Sequence, residues 1–419
     1  MRFQQWVVAG AMLALVTACT APVSPAPSTV SGPAVSVSSG TPTAIPGYVE
    51  AREGVDYEVL FDVPNPRPDG KTDVVLTVTP DGRALVGRST RAIPLNQDEI
   101  LVKTAHGERS LPQVLGGAPR QAIAAVANDT DMVWLETSST SLVEAGWDLF
   151  TADNKGHVRH LASSDDYGGD TAPPITDYLP LALDASRAYL GIPMPRKDRK
   201  NPADPSDYYN AILAVPLDGS TPEILVDDAR LAATGSDGIH FVRTQGIRTT
   251  DLDRPPPTGP MPAGGVAEFG VIPSGGGAPR IVHTEKIAGP YDVSYQCTVG
   301  DSLAWLTGAL NQGDRGRITI LAPDGTTTII PLYESGLASY LTCGDGLIAW
   351  AGGGEDGMTE DIHEDTGQYV YSLATRTTWR IGENDIVSTS LVNGKIVMVS
   401  TPAQNETGPV GSRVLRWLH

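Results

Sequence analysis

A seven-bladed ring of four-stranded antiparallel sheets, a β-propeller, is the fold this all-β sequence predicts, and three observations predict it. One unit recurs seven times in the 419 residues: an apolar strand, a tight Asp/Asn/Gly turn, a second strand with a bulky residue, then a third strand and another polar turn. The bulky residues are Leu85, Trp134, Tyr189, Phe241, Trp305, Trp350 and Met398, spaced 45 to 64 residues apart, slightly more than the roughly 40–45 residues of a minimal blade. No stretch of a dozen residues keeps a helical period, which argues against an α/β enzyme core. The even spacing also favours a ring over two stacked sandwiches.

Each element has its own local reason. The first hairpin of each unit turns at Pro80-Asp81-Gly82, Asn128 to Asp131, Asp184 to Arg187, Gly235 to Gly238, Gly300 to Ser302, Gly344 to Gly346, and Asn393-Gly394. Gly, Asn and Asp tolerate the positive φ that short hairpins need. A second polar turn follows at His106-Gly107, Asn154 to Gly156, Asp218-Gly219, Gly275 to Gly277, Asp324-Gly325 and Thr375-Arg376, which completes six blades. After Met398 only one more strand remains, Arg413 to Leu418, whereas Tyr57 to Phe61 reads as a strand with no blade of its own. That N-terminal strand is therefore expected to complete the last blade and close the ring, leaving only short outer edges.

Three regions follow: 1–18, 19–52 and 53–419. Arg2 precedes an apolar run from Trp6 to Val16 that ends in Thr17, Ala18 and Cys19. The run is too short to span a membrane and resembles a bacterial lipoprotein signal, which implies acylation, for example by palmitate, of Cys19 as the first mature residue. An ordinary secretory signal is the alternative. From Thr20 to Pro46 the chain holds Ala, Pro, Ser, Thr, Val and Gly, with the single exception of Ile45, and no charges, a composition that cannot offset ordering entropy and reads as a flexible tether. The globular region, 53–419, would then be held at the extracytoplasmic face of the cell membrane.

The formal net charge is -19, which argues against nucleic acid and leaves a basic protein or peptide, a cation, or solubility alone as its meaning. Besides Cys19 there are two cysteines, Cys297 and Cys343, in nearly matching places ahead of the turns of blades five and six. In an oxidising compartment they could form a disulfide between adjacent blades; free buried thiols are the alternative.

Strand order fixes which joins share a face. The first-to-second and third-to-fourth turns lie at one end, the second-to-third joins and the inter-blade links at the other. The first set is tight and the second is long, so a binding site belongs at the long-loop end. There, Glu355, Asp356, Glu360, Asp361, His363 and Asp365 crowd one loop, and Asp165, Asp166 and Asp170 form a second acidic cluster. Glu355, Asp356 and Asp361 are candidate Ca²⁺ ligands by the chemistry of hard oxygen donors, although the EF-hand spacing is absent and a solvated acidic loop explains the same residues. No other cofactor is expected. The Gly352, Gly354, Gly357 spacing lacks the βαβ context of a dinucleotide fingerprint, and no Gly-x-Ser-x-Gly elbow occurs. His157 and His160 do not share a strand face, so joint metal ligation is not expected. The ring of bulky anchors reads as packing between blades rather than as a stacking surface.

Read with their Asp/Gly turns, of which Pro80-Asp81-Gly82 is the nearest match, the repeats resemble the TolB-like and WD40-like propeller repeats of bacterial envelope proteins. The resemblance implies the fold and brings no catalytic residues with it. The expected function is a lipid-anchored, non-enzymatic protein- or peptide-binding or scaffold module of the cell envelope. The alternative is an envelope enzyme, a glycosidase or lyase, with carboxylates at the channel mouth; a retaining glycosidase would hold its pair about 5 Å apart and an inverting one roughly 6.5 to 9.5 Å.

Overall fold

The computed structural model describes residues 43–44, 47–89, 97, 99–115, 121–137, 146–167, 181–197, 208–245, 265–287, 293–307, 316–332, 337–353, 367–383, 390–401 and 411–419. They form seven blades of four antiparallel strands, consecutive in sequence except in blade seven. Blade one runs from Thr72–Val78 to Gly107–Ser110, blade two from Gln121–Ala127 to Val158–Ser163, and blade three from Ala182–Leu183 to Glu223–Asp227. Blade four runs from Arg230–Gly235 to Arg280–Ile287, blade five from Val293–Val299 to Thr327–Pro331, and blade six from Leu337–Cys343 to Thr377–Glu383. Blade seven takes Ser390–Asn393, Ile396–Thr401 and Gly411–Trp417 from the end of the chain.

Three N-terminal strands are laid onto this ring: β1 (Thr43–Ala44), β2 (Val49–Glu50) and β3 (Tyr57–Val63). β3 pairs antiparallel with Gly411–Trp417 and is the outer strand of blade seven, so the two ends of the folded chain close the ring. Charge pairs reinforce that seam: Arg413 Nε donates to Asp62 at 2.7 Å and Arg416 to Glu58 at 2.7 Å. β1 and β2 go beyond the sequence reading, which ran the tether through residue 52. They pair in parallel with the outer strands of blades five and six and make each a five-stranded sheet. Next to β2, the guanidinium of Arg380 lies 4.8 Å from the centre of the Tyr48 ring and binds Glu50, while Tyr48 meets Tyr369 edge-on.

The core consists of seven apolar clusters, one for each junction between blades. All seven bulky anchors are buried, and all lie on second strands, but they do not hold equivalent positions. Leu85 and Trp134 pack in the same cluster between blades one and two, Leu85 facing forward and Trp134 back. Tyr189 and Phe241 likewise meet between blades three and four. Successive residues of a strand point to opposite faces, so an offset of one residue from the turn exchanges the neighbour an anchor packs against. Both faces of these second strands are buried, so either direction serves.

Candidate functional site

The two ends of the ring are built differently. At the end that carries the hairpin turns, each of the seven junctions is tied. Arg83 donates to Asp129 O between blades one and two, Asn128 to Asp184 O between two and three, and Thr234 to Leu183 O between three and four. Thr298 donates to Thr234 O, and Ser236 to Asp301 at 2.6 Å, between four and five. A disulfide joins Cys297 and Cys343 between five and six. The backbone N–H groups of Val392 and Asp345 donate to Thr342 Oγ1 and Gly394 O between six and seven. Asn393 closes the circuit: its amide donates to Val78 O in blade one and to Ala127 O in blade two, both at 2.8 Å. The approach at the sixth junction is close enough that a Cβ on Gly344 would stand 2.3 Å from Gly394 O, which requires glycine there.

The second-to-third-strand joins emerge at the opposite end, and there the described residues build a polar site on blade one. Asp73, Arg88, Glu99 and Glu108 lie on its four successive strands. Arg88 Nε and Nη2 donate to the two oxygens of Asp73 at 2.7 and 2.9 Å, and Arg88 Nη1 and Nη2 donate to Glu108, both at 2.8 Å. Arg67, in the link from blade seven, adds bonds to Asp73 at 3.0 Å and Glu108 at 3.1 Å. The Asp73 side chain is fully buried. Hydrogen bonds from Arg88 hold the Glu108 carboxyl down at about 2, and those from Arg88 to Asp73 and Glu108 hold the guanidinium firmly protonated. Two guanidiniums, Arg67 and Arg88, thus face four carboxylates, those of Asp69, Asp73, Glu99 and Glu108, so the site keeps a negative surplus.

Beside this network a recess of about 100 Å³ opens between blades one and two. Glu99, Ser110 and Glu136 give it a polar side; Ile100, Leu111 and Phe150 give it an apolar one. Trp134 stacks on Phe150 with ring centres 5.6 Å apart, and its Nε1 donates to Glu136 at 2.7 Å. Gln97 braces the edge of the recess by accepting from Ala122 N at 2.9 Å. It fits because residue 87 is glycine, where a Cβ would fall 2.4 Å from the Gln97 side chain.

The sequence-predicted residues fall in several places. Asp165 and Asp166 lie exposed in a single 3-10 turn, Ser164–Tyr167, after blade two. Their contacts are local: Ser163 N donates to Asp166 at 3.4 Å and Asp165 N to Ser163 Oγ at 3.3 Å. Asp170, Glu355, Asp356, Glu360, Asp361, His363 and Asp365 lie outside the described residues, as does Cys19. The Ca²⁺ candidates Glu355, Asp356 and Asp361 are among them. Among the described residues no group of three His, Cys, Asp or Glu side chains is placed to hold a metal ion. His157 and His160 are engaged separately, with Asp153 at 2.9 Å and Asp148 at 2.8 Å.

Sequence reasoning missed the blade-one network and the recess. Their members are scattered from residue 67 to residue 136 and meet only through strand register, so no local motif announces them. The opposite charges of Asp73 and Arg88, on adjacent strands that are otherwise apolar and buried, are the one signal that could have pointed there.

No family model matches the sequence, and no curated protein matches it. Solved structures that superpose on it include a puromycin hydrolase, at 14% identity and a TM-score of 0.48, covering 85% of this chain and 55% of that one. A Mycobacterium tuberculosis puromycin-hydrolyzing peptidase gives 13% and 0.46, covering 90% and 56%. The β-propeller domain of the Trilobed protease from Pyrococcus furiosus gives 10% and 0.41, covering 67% and 78%. The chain spans about half the length of the first two. Likenesses of this degree concern the fold and leave the chemistry open.

Proposed function

We propose that this protein is an extracytoplasmic, lipid-anchored β-propeller of the bacterial cell envelope that binds a protein or peptide at its long-loop end. The circuit of ties at the hairpin end carries the reading. It makes the ring a rigid frame, and a rigid frame that offers long connections at its other end is the arrangement by which loops are positioned for recognition. The Cys297–Cys343 disulfide supports an oxidising compartment, and the residues ahead of Cys19 support acylation there. The acidic composition supports a basic partner.

Two measurements test this. Fractionation of cells producing the native chain and a Cys19→Ala variant is expected to find the first with the membrane and the second released; equal distribution would remove the anchor. Capture from detergent-solubilised envelope, with the mature chain and a variant lacking 354–366, is expected to recover a partner with the first and lose it with the second. Equal recovery would exclude the acidic loop. Turnover of a panel of aryl glycosides by the purified protein would replace the binding reading with the enzymatic one.

A further inference from the structure

The recess between blades one and two has the size, lining and charge to take a single basic side chain. At about 100 Å³ it is well below the roughly 300 Å³ at which small-molecule sites begin, so it admits one side chain rather than a cofactor or a sugar chain. One side of it is apolar, and the stacked Trp134 and Phe150 behind are nearly fully buried. The long methylene stem of a lysine or arginine gains from such a surface, while the charged tip needs a carboxylate. Glu99 and Glu136 stand on the polar side. The Glu99 side chain is about a third exposed at 32%; its Oε1 accepts from Ser110 Oγ and its Oε2 is 3.7 Å from Arg88, which leaves the carboxylate charge facing solvent. The Arg88 donors meanwhile go to Asp73 and Glu108. With two guanidiniums among four carboxylates, the network beside the recess favours an incoming cation.

The described residues show this chemistry used internally. Between blades four and five, Glu285 accepts from Trp305 Nε1 at 2.7 Å with one oxygen and binds the guanidinium of Arg317 with the other. Trp134 and Glu136 form the same indole–carboxylate pair at the recess, and Glu99 beside them is the carboxylate that meets the incoming cation. We infer that the recess is a specificity pocket for a lysine or arginine side chain of a bound peptide. This rests on the reading of the protein as a peptide-binding module and adds to it the residue type recognised and the place of recognition.

The test is saturation-transfer NMR of the soluble mature protein with acetyl-Gly-Gly-Lys-Gly-Gly-amide and the matching norleucine peptide at millimolar concentration. The expected result is transfer to the lysine methylenes, at least fivefold weaker transfer to norleucine, and weakening of the lysine signal in 0.5 M NaCl. Glu99→Gln should weaken lysine binding at least fivefold, whereas Glu58→Gln, which removes the same charge from blade seven, should leave it unchanged. If Glu99→Gln fails to fold, Glu136→Gln carries the same expectation, since its amide oxygen can still accept from Trp134. Equal transfer to the two peptides, no transfer at all, or an equal effect of the blade-one and blade-seven variants would overturn the pocket. Each of these outcomes leaves membrane anchoring and envelope capture to be judged on their own results.

Discussion

The two ends of this ring are held by different physics. At the hairpin end every junction is tied by a backbone group, a short polar side chain, the one disulfide or, between blades one and two, the Arg83 guanidinium, and the ties are spread evenly around the circle. At the other end, the described ties are made by long side chains: Arg67 in the link from blade seven, Arg88 in blade one, Gln97 between blades one and two, Arg230 donating to Val293 O, and Gln368 exchanging two bonds with the Ser400 backbone. The first kind of tie is mostly neutral, with Arg83 and Asp301 its charged members. The second is charged in part and concentrated in one blade. The difference teaches that rigidity and responsiveness can be assigned to opposite ends of a single sheet ring.

The sharpest way to break that comparison is Arg88→Met. It takes the bidentate partner from the buried Asp73 carboxylate, and the expected cost is about 3–5 kcal/mol, the range for breaking a buried ion pair from one side; chemical denaturation of the variant and parent would measure it. A loss below about 1 kcal/mol would mean that the network is decoration on a frame already stable. Next, a Cys297→Ser, Cys343→Ser double variant should lose about 2–4 kcal/mol under the same assay, because the bond closes a 46-residue loop. Its stability should match that of the reduced parent.

Asn393→Ala removes two bonds that span blades seven, one and two, and the expected loss is about 1–2 kcal/mol, the same at low and high salt. Salt dependence would blur the distinction between the two ends. The smallest effect is a matter of pH. Because the folded Glu108 carboxyl sits near 2 against an unfolded value of 4.5, its contribution is complete above about 4.5 and disappears as the pH falls toward 2. Melting temperatures of the parent and Glu108→Gln, compared from pH 6 downward, should therefore converge over that window. Parallel curves would show that the Arg88 pairing adds nothing.

Much of the fold was legible because a propeller writes its repeat into the chain. The Asp/Asn/Gly turns marked the hairpins, Leu85 to Met398 marked the second strands, and the orphan strand at Tyr57 announced the closure. The direction in which each anchor faces was not legible. A residue such as Trp134 is equally apolar to the blade before and the blade after, and only the count from the turn decides. β1 and β2 escaped notice for a related reason: two-residue pairings carry no periodicity, and residues 43–50 hold a single charge, Glu50. The blade-one network was hidden by distance along the chain, since Arg88 meets Asp73 across 15 residues and Glu108 across 20.

Closure by β3 has a consequence for the order of events when the protein is made. Residue 62 finds its partner 351 positions later, so the first strand of the ring is synthesised and must then wait for the last. Until Gly411–Trp417 arrives, β3 and Ile396–Thr401 each present an open edge, the state in which sheet proteins capture one another. Contacts of such range form slowly. The interval between the emergence of residue 63 and that of residue 411 is therefore the period when these two edges are open to pairing with another chain.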